Sequence, residues 1–355
     1  MPADRDLGER VLAHSLVQYD ARLMGSPWDA NDVAPQFRGK RTLLFVLGGS
    51  SGTSLLTRIL ALCGARLPAG LLGATPSSPQ GFWEPRAVIC LNEAILRHFG
   101  SSGYDLALPV WPKNSLEAKD KAFWVGKITA YLATLPQSPL VVLKEPKIAM
   151  VFELWRDAAQ AAGFEVVTVV AVRHPQEFIA SLDQRASHQN YVRNSPELGS
   201  AWWLKYTLIA ERATRDVPRV FVQYRDLVAD WRGQIQRIAR ALEVDLSVAR
   251  ARQVDDFLSP ELRHHRCDGP VTDCFGTDWV SSVYASMTAA ASDQPWDIGE
   301  LDRVYDAYGS TEQGFRGAFD EARRYQRVNR LLSPWLIKLG LEVLALMNWR
   351  KGSWA

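Results

Sequence analysis

Two strand-to-helix junctions far apart in the chain, LLFVLGGSSGTSLLTRIL (Leu43 to Leu60) and VVTVVAVRHPQEFIASL (Val166 to Leu182), restrict what it can fold into. In the first, an apolar run stops at Gly48 and Gly49, crosses a Ser/Gly/Thr cluster and resumes with helical spacing at Leu55, Leu56, Ile59 and Leu60. That pattern predicts a buried strand, a tight turn and a helix N-terminus. Small residues let the backbone approach a ligand, first-turn N–H groups lack helical partners, and Ser/Thr hydroxyls add donors. Gly49, Ser50, Ser51, Gly52, Thr53 and Ser54 therefore form a candidate oxyanion cradle. The second junction repeats the arrangement, with Arg173 at the end of the strand and Ser181 two turns into the next helix. Arginine offers a planar fork of donors matched to phosphate oxygens, and Pro175 suits a first helical turn. Arg173 alone also fits an ordinary surface loop. Taken together, the two junctions point to one doubly phosphorylated nucleotide.

Strands alternating with helices over 355 residues, 47% of them hydrophobic, predict a single large α/β domain with additions. With 41 basic against 39 acidic residues, the chain offers no broad positive surface for nucleic acid. Cys63, Cys90, Cys267 and Cys274 are few and unpatterned, and MPADRDLGERVLAHSL has no signal-type apolar stretch; a cytoplasmic location is expected. Walker A chemistry needs a Lys after the second spaced Gly. Here Thr53 follows Gly52, and Gly48 lies only four positions before it, so a P-loop kinase reading fits poorly.

The chain resembles the PAPS-dependent sulfotransferases. GSSGTSLL matches their 5′-phosphosulfate loop and VRHPQEFIASL their 3′-phosphate motif. GFWEP (Gly81 to Pro85), LKEPK (Leu143 to Lys147), AWWLKY (Ala201 to Tyr206) and VQYRDL (Val222 to Leu227) follow in family order, over about residues 40 to 265. The likeness is greatest to a bacterial branch with GFWE-like and KEP-like segments, many of whose members are thought to act on carbohydrates. It implies a P-loop-like three-layer α/β fold with a central, mainly parallel sheet flanked by helices. It also implies PAPS as co-substrate, PAP as product, no metal, and a carbohydrate or other hydroxyl-bearing acceptor. One position departs from the family. Its loop usually carries Lys or Arg directly before Ser-Gly-Thr, and here that residue is Ser50. The departure keeps a non-catalytic PAP or PAPS binder in view.

The resemblance also suggests the catalytic residues. Lys144, at the end of the predicted strand in LPQSPLVVLKEPK, is the leading substitute for the loop cation, ahead of Arg58 and Arg86; alternatively it caps a turn beside Glu145. The family's general base is a His or a Glu. The position two after the strand Lys, where small-molecule members carry His, is Pro146, so Glu84 in GFWEP is the candidate, its alternative being a carboxylate that meets helix N–H groups. Tyr224 follows another β-branched strand, where relatives place an aromatic beside adenine; a core-edge tyrosine is the alternative. Asp226 is expected to cap the following helix. Arg263 to Arg266 form a basic run that relatives bring toward the 3′-phosphate, while a metal site from His264, His265, Cys267 and Cys274 is disfavoured because adjacent histidines diverge.

Residues 1–38 are expected to form a helical arm and linker, 39–330 the catalytic domain and 331–355 an apolar C-terminal helix. Trp202 and Trp203 are expected in the core, whereas Trp111 is a candidate for stacking on sugars, and Ser187 to Ser200 reads as a mobile segment near the acceptor. The C-terminal helix is too short and too charged to span a bilayer. Docking on the domain, a homodimer contact and a peripheral membrane contact all remain open for it.

Overall fold

The first apolar run forms β1 (Arg41–Leu47), whose residues from Leu43 to Leu47 are fully buried. β2 (Leu140–Lys144), β3 (Phe164–Val172) and β4 (Arg219–Gln223) join it in a sheet of order β2-β1-β3-β4 in which every pairing is parallel. Val46 faces Lys144 across one pairing, Leu47 faces Val170 across the next, and Val172 faces Gln223 across the third. All four strands therefore end at one edge of the sheet, which is where open α/β sheets hold their ligands.

Near-continuous apolar strands are what a sheet covered on both faces requires. Side chains alternate between two cores: Leu43, Phe45 and Leu47 join Val141, Leu143 and Val170 in one, while Leu44 and Val46 join Val142, Val167 and Val169 in the other. The second core is covered by α1 (Thr53–Leu62), through Leu55, Leu56, Ile59 and Leu60, and by α8 (Trp231–Ala241). The first is covered by α2 (Arg86–His98), α3 (Ala118–Leu132), α4 (Phe152–Ala161) and α6 (Pro196–Ala213). Trp202 and Trp203 of α6 are buried there, as expected. The result is a three-layer, P-loop-like α/β fold.

The computed structural model describes residues 39–49, 52–74, 81–108, 116–189, 195–249, 251–258, 267, 269–310, 316–331 and 333–349. The predicted arm of residues 1–38, Ser50, Ser51, Trp111 and the basic run Arg263 to Arg266 lie outside them. Residues 39–355 form one compact unit, in which α9 (Ala251–Phe257), α10 (Trp279–Ala291) and α11 (Ile298–Ser310) follow α8.

Two expectations are corrected. The segment from Ser187 to Ser200, expected to be mobile, is helical at both of its described ends: α5 (Pro175–Gln189) continues through Ser187, and α6 starts at Pro196 with the Ser195 hydroxyl accepting from the Leu198 N–H at 3.1 Å, while residues 190–194 lie outside the described residues. Asp226 does not cap the helix after β4. A short helix, α7 (Tyr224–Ala229), intervenes, and Asp230 caps α8 by accepting from the Gly233 N–H at 2.9 Å.

Candidate active site

Gly48 and Gly52 take φ values of 122° and 84°, which turn the chain from β1 into α1. Gly52 is the N-cap of α1, and no side chain caps that end. A Cβ on Gly52 would stand 2.2 Å from Cδ2 of Tyr224, and one on Gly49 would stand 3.1 Å from Phe178 and from Tyr206. The Tyr224 ring thus excludes a side chain at Gly52, and Phe178 and Tyr206 crowd the position of one at Gly49.

Tyr224 joins the two junctions. One edge of its ring lies against Gly52, and the Arg173 guanidinium sits over its face with Cζ 4.5 Å from the centroid. The register explains this contact, since Arg173 and Tyr224 each directly follow a residue of the last β3–β4 pair. Arg173 Nε also pairs with Glu177 at 3.0 Å, and Glu177 accepts from the Cys267 N–H at 3.0 Å. His174 Nε2 meets the Gly269 carbonyl, and Gln176 donates to the Thr272 carbonyl, each at 3.2 Å. The chain just beyond the basic run is therefore tied across the start of α5, beside Arg173. Ser181 lies two turns into α5, partly buried.

Lys144 and Glu84, read separately from the sequence, are direct partners. The Lys144 ammonium, 3% exposed, ion-pairs with Glu84 and also donates to Ser54 Oγ at 3.3 Å and to the Phe82 carbonyl at 3.2 Å. Ser54 Oγ in turn donates to the same Phe82 carbonyl at 3.2 Å. The GFWEP turn is hooked in this way onto the start of α1 and the end of β2. Within it Gly81 has φ 85°, and Trp83, a buried non-glycine residue, has φ 59°, a strain of about 1–3 kcal/mol. The Arg58 guanidinium stacks over the Trp83 ring at 4.6 Å, and Arg86 reaches away to Glu342 at 3.3 Å and to the Leu71 carbonyl at 2.8 Å. Lys144, the leading candidate for the place of the missing loop charge, is bonded to the start of α1 through Ser54.

Behind Lys144, Glu145 and Lys147 of the LKEPK segment join a buried network whose other members, Asn92, Glu93 and Trp155, carry no signature in the sequence. The fully buried Glu145 accepts from Asn92 Nδ2 at 2.6 Å and from the Lys147 N–H at 3.0 Å, and it pairs with the Lys147 ammonium at 2.6 Å. Trp155 Nε1 holds Asn92 at 2.8 Å, and Glu93 lies 3.5 Å from the Lys147 ammonium. Burial pushes the Glu145 carboxyl upward, with Lys147 pulling against it. For Lys147, burial opposes the charge but Glu145 and Glu93 outweigh it, holding the ammonium well above the usual lysine range. The turn after Lys144 is therefore pinned by buried hydrogen bonds and an ion pair.

Sequence reasoning also missed Glu177, although its spacing of four from Arg173 on a helix is readable, and the Phe82 carbonyl, for which no side-chain pattern exists. No group of three or more potential metal ligands occurs among the described residues.

No protein-family model matches the sequence, and no curated protein does. Among solved structures, the chain is similar to the sulfotransferase domain of the Synechococcus PCC 7002 olefin synthase: 19% identity, 78% of this chain and 98% of that chain covered, TM-score 0.37. The sulfotransferase domain from the curacin biosynthetic pathway is 14% identical, over 73% of this chain and 100% of that one, with a TM-score of 0.37. Mouse sulfotransferase SULT7A1, solved in complex with PAP, is 12% identical, over 80% and 89%, with a TM-score of 0.36.

Proposed function

We propose that the protein is a PAPS-dependent sulfotransferase that passes the sulfuryl group to a hydroxyl of a carbohydrate or glycolipid. The observation that carries this reading is the Tyr224 ring, which touches the Gly52 turn on one side and Arg173 on the other. Two oxyanion cradles one ring apart suit the two ends of a single adenosine bisphosphate, with the adenine beside Tyr224. Backbone N–H groups at Gly52, Thr53 and Ser54 would hold the 5′ end, and Arg173 and Ser181 the 3′-phosphate.

In this reading the acceptor oxygen attacks sulfur in line, an O–S bond forms, the S–O bond to the 5′-phosphate breaks and PAP leaves. The acceptor proton passes to Glu84. Protonation cancels the charge that holds Lys144 to Glu84, so the ammonium becomes available to the developing charge on the bridging oxygen as the bond breaks. Base and cation act as one coupled pair, and Lys144 supplies what Ser50 lacks. Positioned charges of this kind are worth ~10²–10³ in rate.

A non-catalytic PAP or PAPS binder is favoured by one observation: Lys144 has three N–H donors, and Ser54, Phe82 and Glu84 accept three hydrogen bonds from it. Transfer of labelled sulfate from PAPS to a panel of glycans separates the two. Turnover that falls at least a hundredfold in both Lys144→Ala and Glu84→Gln, with PAP affinity within a few-fold of wild type, supports the transferase. PAP binding without turnover on any acceptor supports the binder.

A further inference from the structure

The C-terminal helix α13 (Pro334–Trp349) packs one side on α2, with Glu342 paired to Arg86 and Ala345 buried. Among the described residues, its other side is exposed. Of the nine exposed large apolar side chains among the described residues, seven belong to this helix: Trp335, Leu336, Leu339, Val343, Leu344, Leu346 and Met347. At 100° per residue, Trp335, Leu346, Leu339, Val343, Leu336 and Met347 fall within one third of its circumference, as a continuous stripe. A contiguous apolar stripe of this kind marks an interaction surface.

Charge selects the occupant. Residues 316 to 355 carry eight Lys and Arg against three Asp and Glu, a net +5, whereas the whole chain carries +2, so the remainder carries −3. The preceding helix, α12 (Arg316–Leu331), exposes Arg323, Arg324 and Arg327. A second copy docking through this segment would bring one net +5 stretch of sequence toward another. An anionic lipid surface offers the opposite sign together with an apolar layer beneath it. At 16 residues, about 24 Å, the helix does not cross a bilayer but suits one lying in the interface, with Trp335 at headgroup depth.

We propose that α13 and the arginines of α12 dock the protein on an anionic membrane surface. Because Glu342 pairs with Arg86, two residues beyond Glu84, docking holds the candidate site beside the lipid; if the transferase reading is right, the acceptor is a membrane-borne hydroxyl compound.

The test is co-flotation of the full chain with vesicles of zwitterionic phosphatidylcholine, with and without about one third phosphatidylglycerol, at low salt and at 0.5 M NaCl. Expected is at least tenfold greater partitioning onto the anionic vesicles, most of it lost in high salt and in the variant Leu339→Gln/Val343→Gln/Leu346→Gln. Circular dichroism and PAP titration of that variant show whether it stays folded, and the exposed substitution Arg324→Glu/Arg327→Glu should weaken flotation independently. A monomer that stays off both vesicles overturns the proposal, as does a solution dimer, seen by light scattering, that the triple variant dissociates. Flotation reads docking alone, so its failure leaves the transferase reading to the labelled-sulfate assay.

Discussion

Gly52 is held by two constraints at once, a positive φ and a Tyr224 ring 2.2 Å from where a Cβ would sit. Gly52→Ala should therefore push Tyr224 away and disturb Arg173 with it. PAP affinity, measured by calorimetry, is expected to fall at least tenfold; an unchanged affinity would separate the turn from the nucleotide. Lys205 makes a different prediction. It is fully buried on α6, donates to the Asp105 carbonyl, and burial pulls its ammonium down to about 8, against the opposing charge of Asp105. With an ordinary value of 10.5 in the unfolded chain, the folded protein binds fewer protons between pH 8 and 10.5. Stability from this group thus rises as pH climbs through that window, and below pH 8 the cost of the buried charge is fully present, on the order of 3 kcal/mol. Urea unfolding of wild type and Lys205→Met at pH 7.5 and 10 should show wild type gaining on the variant at the higher pH. Cys63 and Cys90, pushed up to about 11 by burial, act in the opposite sense in both proteins and cancel in the comparison.

Helix α8 begins at Asp230, so Asp230→Ala should cost about 1 kcal/mol in urea unfolding. Asp226→Ala, which removes only an exposed pair with Arg225, should stay within about 0.5 kcal/mol. The reverse order would restore Asp226 as the cap. The misplaced cap shows where sequence reading stops: β4 and α8 are legible from their apolar periodicity, but the six-residue helix between them buries too little to leave a pattern. The strands β1 to β4 and the helix after Gly52 were readable because burial on both faces forces continuous apolar runs and helical spacing. The helical ends of the stretch from Ser187 to Ser200 were not readable, because a polar sequence does not show how far the backbone of a helix continues.

Across the molecule, parallel topology carries the ends of β1, β2 and β3 to one edge, and that alone assembles Gly52, Lys144 and Arg173, the outer two of which are 121 positions apart. Lys144, Arg173 and Tyr224 were legible one by one, each at the end of an apolar run. Their partnerships were not: the Glu84–Lys144 ion pair spans 60 positions, and the Tyr224 contact with Gly52 spans far more, so only the fold could reveal them. The central claim is that one adenosine bisphosphate bridges Gly52 and Arg173 across Tyr224. Calorimetric titration of the full chain with PAP, and separately with ATP and magnesium, tests it directly. One PAP per chain, weakened about a hundredfold by Arg173→Ala and less by Ser181→Ala in variants that keep the wild-type melting profile, is the expected result. Absence of PAP binding, indifference to Arg173→Ala, or tighter binding of ATP with magnesium would contradict it.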